Sequence, residues 1–236
     1  MRTANLGPRN FLLAAALLPA MFATVTGTAA AQVLSVNARA YGKTYGEWTA
    51  AYWQWALGIP LANNPWANDP TGEFAGVGQS GPVWFLGGTL GDSVTRMFTM
   101  PPGKGIFMPV SQWIFGAAVF DCEPSVPSVP CDVPTLRAAA ANAANGTFRI
   151  VVSIDGTLVS NPFTYRAVSP SSFSVTLPAD NVVGLPAGTY APHVSDGYYL
   201  MLSPFAVGLH TIHVHVESTT FGGFAYDIAY FIIVAP

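Results

Sequence analysis

Short apolar segments separated by glycine-rich or proline-rich turns run through most of the chain. Residues 83–86, 95–99 and 106–110 are of this kind, and Gly87-Gly88 follows the first of them. Further segments of this kind are Thr147–Ile154, Phe173–Leu177, 198–203, 209–217 and Phe224–Val234. Short strands bounded by regular turn signals are typical of all-β sandwiches and barrels. The pattern therefore predicts a mainly β fold, an antiparallel β-sandwich of the Ig-like or jelly-roll type.

Alternation within these segments predicts which side chains face the core. In Thr147–Ile154, one face carries Phe148, Ile150, Val152 and Ile154. The other face carries the remaining, more polar positions, because successive side chains of a strand point to opposite sides. Asp155-Gly156 then predicts a tight hairpin turn.

Two segments have helical rather than strand periodicity. Between residues 41 and 57, aromatic side chains recur at spacings of three and four, at Tyr41, Tyr45, Trp48, Tyr52 and Trp55. This spacing puts them on one face of an N-terminal helix that ends at Gly58. The face could be buried against a sheet or could form a platform on which sugars stack. A second, short helix is predicted over residues 134–144, with a proline in its first turn.

Trp53 lies off the aromatic stripe of the first helix. Because it points away from the predicted buried face, we expect its ring to be exposed. It is the candidate binding residue on this helix.

The first residues have the three parts of an export signal. Arg2 and Arg9 precede an apolar run over residues 11–22, and Ala29-Ala30-Ala31 precedes Gln32. Such segments are cleaved by signal peptidase, and the run is shorter than the roughly 20 residues of a membrane-spanning helix. The sequence predicts a cleaved signal over residues 1–31 and a single secreted or periplasmic domain over residues 32–236, without a transmembrane span.

The charge balance excludes one class of partner. Lys and Arg number 9 against 12 Asp and Glu, and charged residues are 9% of the chain while aromatic residues are 13%. Nucleic acids and anionic membranes demand clustered basic side chains. We therefore expect an extracellular or envelope ligand and no nucleic acid.

The chain has two cysteines, Cys122 and Cys131, within a proline-rich stretch. An even count in an oxidising compartment predicts one disulfide between them. Because the loop that it closes is short, we expect a contribution to stability of roughly 2–3 kcal/mol.

Several phrases occur together that are similar to a group of secreted bacterial proteins with no assigned activity. They are W-x4-WQW at residues 48–55, GQSGPVWFL at 78–86, PGK-x2-F-x-P at 102–109, SDGYY at 195–199 and G-x-HTIH at 208–213. The resemblance spans most of the predicted mature chain and implies a shared fold, but it implies no activity. The segment from Pro204 to Ile212 also resembles the end of bacterial Ig-like domains.

Two catalytic motifs are incomplete. Gly78-Gln79-Ser80-Gly81 begins like the nucleophile elbow of a serine hydrolase, but Pro82 stands where the second glycine belongs. Gly87-Gly88-Thr89-Leu90-Gly91 lacks the Lys-Ser/Thr pair and the helix of a phosphate-binding loop.

Three of the four histidines lie between residues 210 and 215. On a strand, His213, His215 and Glu217 share one face, while the apolar residues between them face the core. Two histidines and a carboxylate on one face can bind a divalent ion, and cupin barrels use a related His-x-His pattern. His193 is the candidate for a further ligand. The other interpretation is that these are ordinary surface histidines.

Taken together, these patterns favour a secreted or periplasmic, non-enzymatic binding or structural module without a cofactor. Its expected ligand is a carbohydrate or another component of the cell envelope. The alternative is a mononuclear enzyme that holds one zinc or copper ion with His213 and His215, and with Glu217 or His193 as a third ligand.

Overall fold

The computed structural model describes residues 31–119 and 131–236. The helices are α1 (Tyr45–Leu57) and α2 (Val133–Asn145). The strands, in chain order, are β1 (Val83–Phe85), β2 (Val94–Met100), β3 (Gly105–Gly116), β4 (Thr147–Ile154), β5 (Thr157–Leu158), β6 (Arg166–Val168), β7 (Phe173–Leu177), β8 (Gly188–Leu202), β9 (Gly208–Ser218) and β10 (Phe224–Val234). Residues 1–30 of the predicted signal and Cys122 lie outside the described residues, so the signal and the disulfide stay predictions.

The strands form two five-stranded sheets, which confirms the mainly β, sandwich-like fold. The inner sheet has the order β1-β3-β8-β6, with β7 also paired to β8, and the outer sheet has the order β2-β10-β9-β4-β5. Two pairs, β1 with β3 and β2 with β10, are parallel rather than antiparallel. The β1–β3 pair is parallel because β2, which lies between them in sequence, belongs to the other sheet. The chain therefore crosses over instead of making a hairpin.

The main core lies between the two sheets. Ile212, Val214 and Val216 of β9 are fully or almost fully buried there, as their alternation predicts. From the inner sheet, Met108 and Leu200 reach the same core. Phe98 and Met100 of the parallel edge strand β2 also lie in this core, at alternate positions along the strand.

The predicted face of β4 is wrong at its first residues. Phe148 is 57% exposed and Thr147 is 5% exposed, the reverse of the expected pattern. The cause is an irregularity in the pairing of β4 with β9 between Thr147 and Arg149. An extra residue in one strand exchanges the two faces beyond it. From Ile150 onward the predicted alternation holds.

Helix α1 covers the face of the inner sheet that points away from the outer sheet. It begins at Tyr45 rather than at the predicted residue 41, because Thr44 forms an N-cap with Glu47. The Thr44 hydroxyl accepts from the Glu47 N–H, and the Glu47 carboxylate accepts from the Thr44 N–H. This capping box satisfies two amide groups that would otherwise lack partners.

The aromatic stripe of α1 is the contact between helix and sheet. Tyr45, Trp48 and Tyr52 are at most 6% exposed and pack on Phe107 of β3. The interpretation of this stripe as a buried face is therefore right for these three residues. The Tyr45 hydroxyl also donates to the Leu34 carbonyl, so the helix stays tied to the segment before it.

Helix α2 closes one end of the inner sheet. Asp132 caps its first turn, and Gly146 follows its last residue, so the helix differs from its predicted bounds by one residue at each end. Arg166 of β6 forms a two-point ion pair with Asp196 of β8 and donates to the Asn145 side chain at the end of α2. In the described part of the chain, neither α-helix is long and apolar enough to cross a bilayer.

The packing of α1 gives a stability prediction. Trp48→Ala removes a ring that is 6% exposed and contacts two phenylalanine rings. We expect the free energy of unfolding, measured by urea denaturation, to fall by about 3–5 kcal/mol, as for other buried aromatic truncations. Phe148→Ala is the control, because that ring is exposed and should cost about 0.5 kcal/mol or less. Equal losses in the two variants would contradict the buried position of Trp48.

Candidate functional site

The predicted histidine face exists on the solvent side of the outer sheet. His213, His215 and Glu217 of β9 point the same way, as their spacing predicts. The imidazole of His215 lies between two carboxylates, with Nδ1 at 3.1 Å from Asp227 and Nε2 at 3.1 Å from Glu217. His213 Nε2 is 3.2 Å from the same Asp227. The group is therefore a network of ion pairs on adjacent strands.

The charges in this network shift the titration of its members. An ionised carboxylate only accepts, so His215 makes both bonds when its two ring nitrogens are protonated. The hydrogen bond to Glu217 raises the pKa of His215, and the same bond lowers the pKa of Glu217. Arg149 adds a further bond to Glu217 at 2.8 Å. Two of the candidate metal ligands, His215 and Glu217, are thus partners of each other, and His213 is paired with Asp227.

His193 does not join His213 and His215 as a third ligand, because it lies in a different sheet. It is on β8 of the inner sheet, fully buried, and its Nε2 accepts from the Ala118 N–H at 3.0 Å. Over residues 31–119 and 131–236, no group of three or more His, Cys, Asp or Glu side chains has an arrangement suited to a metal ion. Alternation along β9 predicts a shared face, but it carries no information about which sheet a distant residue joins.

A cavity of about 330 Å³ lies beside α1, where the inner sheet meets the turn between β9 and β10. Its wall is mostly aromatic and comes from distant parts of the sequence. The aromatic members are Trp53, Trp66, Trp113, Phe221, Phe224 and Tyr226. We call this cavity the aromatic pocket. Its size lies within the range of about 300–1,000 Å³ that is usual for small-molecule sites.

Trp53 belongs to this pocket, but the prediction that its ring is exposed is wrong. It is 2% exposed, and its ring packs edge-to-face on Trp66 at 5.3 Å. Its Nε1–H donates to the Tyr199 hydroxyl at 3.2 Å. The loop after α1 folds back over the helix and covers the side that carries Trp53, which lies outside the aromatic stripe. Helical spacing predicts only the face on the sheet, so this second contact is missed.

Buried polar groups hold the loop that forms one side of the pocket. Arg96, which is 3% exposed, donates to the carbonyls of Asp69 and Gly87. The Tyr230 hydroxyl donates to the same Gly87 carbonyl at 2.8 Å. The Gly88 N–H donates to the Tyr52 hydroxyl at 3.2 Å. These bonds fix the backbone that leads into Thr89, Leu90 and Gly91, which line the pocket.

Glycine is needed where this loop passes its neighbours. A Cβ added at Gly87 would lie 2.0 Å from the Pro65 carbonyl oxygen. No side chain fits at that distance, which explains a glycine here without a phosphate-binding role. The Gly87-Gly88 pair therefore serves close backbone packing behind the pocket.

The described residues in the wall of the aromatic pocket carry no formal charge. None of the described residues that line it is Asp, Glu, Lys, Arg or His. Two of its indole nitrogens, Trp66 Nε1 and Trp113 Nε1, are buried and have no acceptor among the described residues. Sequence reasoning did not select these two tryptophans. Trp66 lies in the loop after α1, and Trp113 lies in β3 beyond the predicted strand segment 106–110, so no regular stripe included them.

The buried His193 and the ion-paired His215 predict opposite effects of pH on the stability of the fold. Burial lowers the pKa of His193 to about 4. Between that value and the unfolded value of about 6.5, the unfolded chain takes up a proton that the folded chain does not. Stability should therefore fall as the pH falls from 6.5 to 4.5. Relative to a His193→Gln variant, we expect the wild-type protein to lose about 2–3 kcal/mol over this window.

His215→Gln is the control for that measurement. The pKa of His215 is raised, so its contribution to folding stability is present below pH 6.5 and is lost at higher pH. Removing His215 should change how the free energy of unfolding varies with pH above 6.5. The His193-dependent fall between pH 6.5 and 4.5 should stay the same. Identical slopes in wild type and His193→Gln between pH 6.5 and 4.5, measured by urea denaturation, would contradict the neutral, buried state of His193.

Comparisons with known proteins leave the family open. No family model and no curated protein matches the chain. Two solved structures show low similarity. PbICP-C, solved in complex with falcipain-2, has 11% identity and a TM-score of 0.25 over 66% of this chain and 100% of that one. The cysteine protease inhibitor EhICP2 from Entamoeba histolytica has 11% identity and a TM-score of 0.18 over 61% of this chain and 88% of that one. Similarity at this level supports no inference about function, and the resemblance to the group of secreted bacterial proteins stays a prediction.

Proposed function

We propose that this chain is an exported, non-enzymatic binding module and that its ligand occupies the aromatic pocket. The observation that carries the proposal is the convergence of three tryptophan side chains, Trp53, Trp66 and Trp113, on one cavity. Aromatic rings bury a large apolar area and are the usual anchors of binding sites. These rings come from α1, from the loop after it and from β3, so folding alone brings them together.

The remaining groups in the wall are suited to holding a ligand rather than to transforming it. The Ser111 hydroxyl is bonded to the Thr147 hydroxyl at 2.8 Å, and the Thr89 hydroxyl donates to the Asp92 carbonyl at 2.9 Å. A catalytic nucleophile needs a base within reach of its hydroxyl. Among the described lining residues there is no histidine or carboxylate to serve as one.

Export to the periplasm or the medium is part of the same proposal. It rests on the signal pattern in residues 1–31, and it makes a component of the cell envelope the expected ligand. A carbohydrate is one such component, because sugar rings stack on indole faces. The pocket lies on the folded domain itself, so the proposal requires no partner chain.

A ligand-observed NMR screen tests this proposal. We would use a library of methyl glycosides, short acyl amides and substituted arenes against the chain without residues 1–31. At least one class should bind, and Trp113→Ala should weaken binding by about tenfold or more, as expected for a tryptophan anchor. Phe148→Ala is the matched control, because its ring is 57% exposed and does not line the pocket.

Two results would contradict the proposal. In the first, no member of the library binds. In the second, binding occurs but is the same in folded Trp113→Ala and in Phe148→Ala, which would place the ligand elsewhere.

A further inference from the structure

From the pocket wall we infer the chemistry of the ligand, an inference that rests on the proposed binding function. The ligand is an uncharged, mostly apolar molecule that carries a hydrogen-bond acceptor such as a carbonyl oxygen. It is neither an ionised molecule nor a free sugar with many hydroxyl groups. Three properties of the wall lead to this assignment: its charge, the state of its polar groups and its apolar rim.

The first property is the absence of charge in the described lining. A charged group that enters an apolar cavity loses its hydration and needs a partner of opposite sign. The ionic groups of residues 31–119 and 131–236 lie elsewhere. The His213, His215 and Glu217 network is on the solvent side of the outer sheet. The Arg96 guanidinium is committed to the carbonyls of Asp69 and Gly87 behind the wall. The pocket therefore favours a neutral ligand.

The second property is that most polar groups of the wall already have partners inside the protein. The Ser111 hydroxyl is paired with Thr147, and the Tyr226 hydroxyl donates to the Val110 carbonyl. The Trp53 Nε1–H is paired with the Tyr199 hydroxyl. A sugar would bring several hydroxyl groups into a wall with few groups to receive them, and unmade hydrogen bonds reduce affinity. The Thr89 hydroxyl is bonded to the Asp92 carbonyl, and the Gln112 amide is the one hydroxyl or amide side chain of the described lining that stays open to a ligand. One such group is few for a sugar, so this inventory favours an apolar ligand.

The buried polar atoms of the described wall that lack partners are both donors. Trp66 Nε1 and Trp113 Nε1 are buried without an acceptor among the described residues. An indole nitrogen can donate a hydrogen bond and cannot accept one. Both rings line the pocket and are partly exposed, while their nitrogens are buried beside it. A ligand oxygen that accepts from one of them would satisfy a donor that the folded chain leaves unpaired.

The third property is an apolar rim. Leu90 and Phe221 line the pocket and are 65% and 66% exposed. Phe221 has φ +52, a left-handed conformation that is unusual for an aromatic residue and that occurs often at functional sites. Its ring packs edge-to-face on Trp113 at 5.4 Å. An apolar ligand covers such side chains when it binds, which adds to its affinity.

Fluorescence titration with prodan, a neutral naphthalene dye with a propionyl carbonyl, tests the inference. Three comparison compounds are the same dye without its propionyl group, the dye with a sulfonate in that place, and methyl glucoside as a competitor. We expect prodan to bind with a blue-shifted emission. Its affinity should exceed that of the dye without the carbonyl by about fivefold to tenfold, the usual effect of one hydrogen bond. The sulfonate dye should bind more weakly still, and methyl glucoside should not displace prodan.

The variant carrying both Trp66→Phe and Trp113→Phe tests the donors directly, because it keeps two aromatic rings and removes both N–H groups. In this variant we expect the advantage of prodan over the dye without the carbonyl to disappear. Trp84→Phe is the matched control. The Trp84 indole nitrogen is likewise buried without an acceptor among the described residues, but its ring lies in the core between the sheets. It is not among the residues that line the pocket. That variant should keep the full advantage.

The outcomes separate this inference from the proposed function. If methyl glucoside or the sulfonate dye binds as tightly as prodan, and Trp113→Ala abolishes that binding, the assigned ligand chemistry is wrong and the binding function stands. If the double variant keeps the carbonyl advantage, the indole donors are not used and the inference is also wrong. If no compound binds in a manner that depends on Trp113, the binding function itself fails.

Discussion

The burial of the inner sheet on both faces is the constraint on which the rest of the structure depends. On its central strands β3 and β8, Met108 and Leu200 face the outer sheet, while Phe107 and Tyr199 face helix α1. The rings of Phe107 and Tyr199 stack at 5.3 Å, and Tyr52 of the helix packs against both. A sheet that is apolar on both sides needs a cover on each. The aromatic helix is therefore part of the fold and not an appendage to a complete sandwich.

The aromatic pocket follows from this arrangement. Helix α1 carries Trp53 to the edge of the covered face, and the loop after the helix places Trp66 against it. Strand β3 continues past the helix and contributes Trp113. On that side, the turn between β9 and β10 brings Phe221 next to Trp113. Side chains from separate segments thus form one wall, in which the described residues carry no charge.

Sequence alone predicts the features that depend on neighbouring residues. The shared face of His213, His215 and Glu217 follows from strand spacing, and helix α2 follows from the proline in its first turn, all within a few residues. Features that depend on distant contacts were missed. Strand alternation does not show which sheet His193 joins. Helical spacing likewise gives no information about the loop that buries Trp53. Likewise, the extra residue near Phe148 is recognisable only from the pairing with β9.

The most direct test of the account is the response of the indole N–H groups to prodan in a two-dimensional ¹H–¹⁵N NMR spectrum. The chain has 6 tryptophans, and each gives a separate signal. Trp53, Trp66 and Trp113 line the pocket, whereas Trp48, Trp55 and Trp84 do not. The account predicts that the first three signals shift as prodan is added and that the other three stay in place. Shifts confined to Trp48, Trp55 and Trp84, or an unchanged spectrum at saturating prodan, would contradict it.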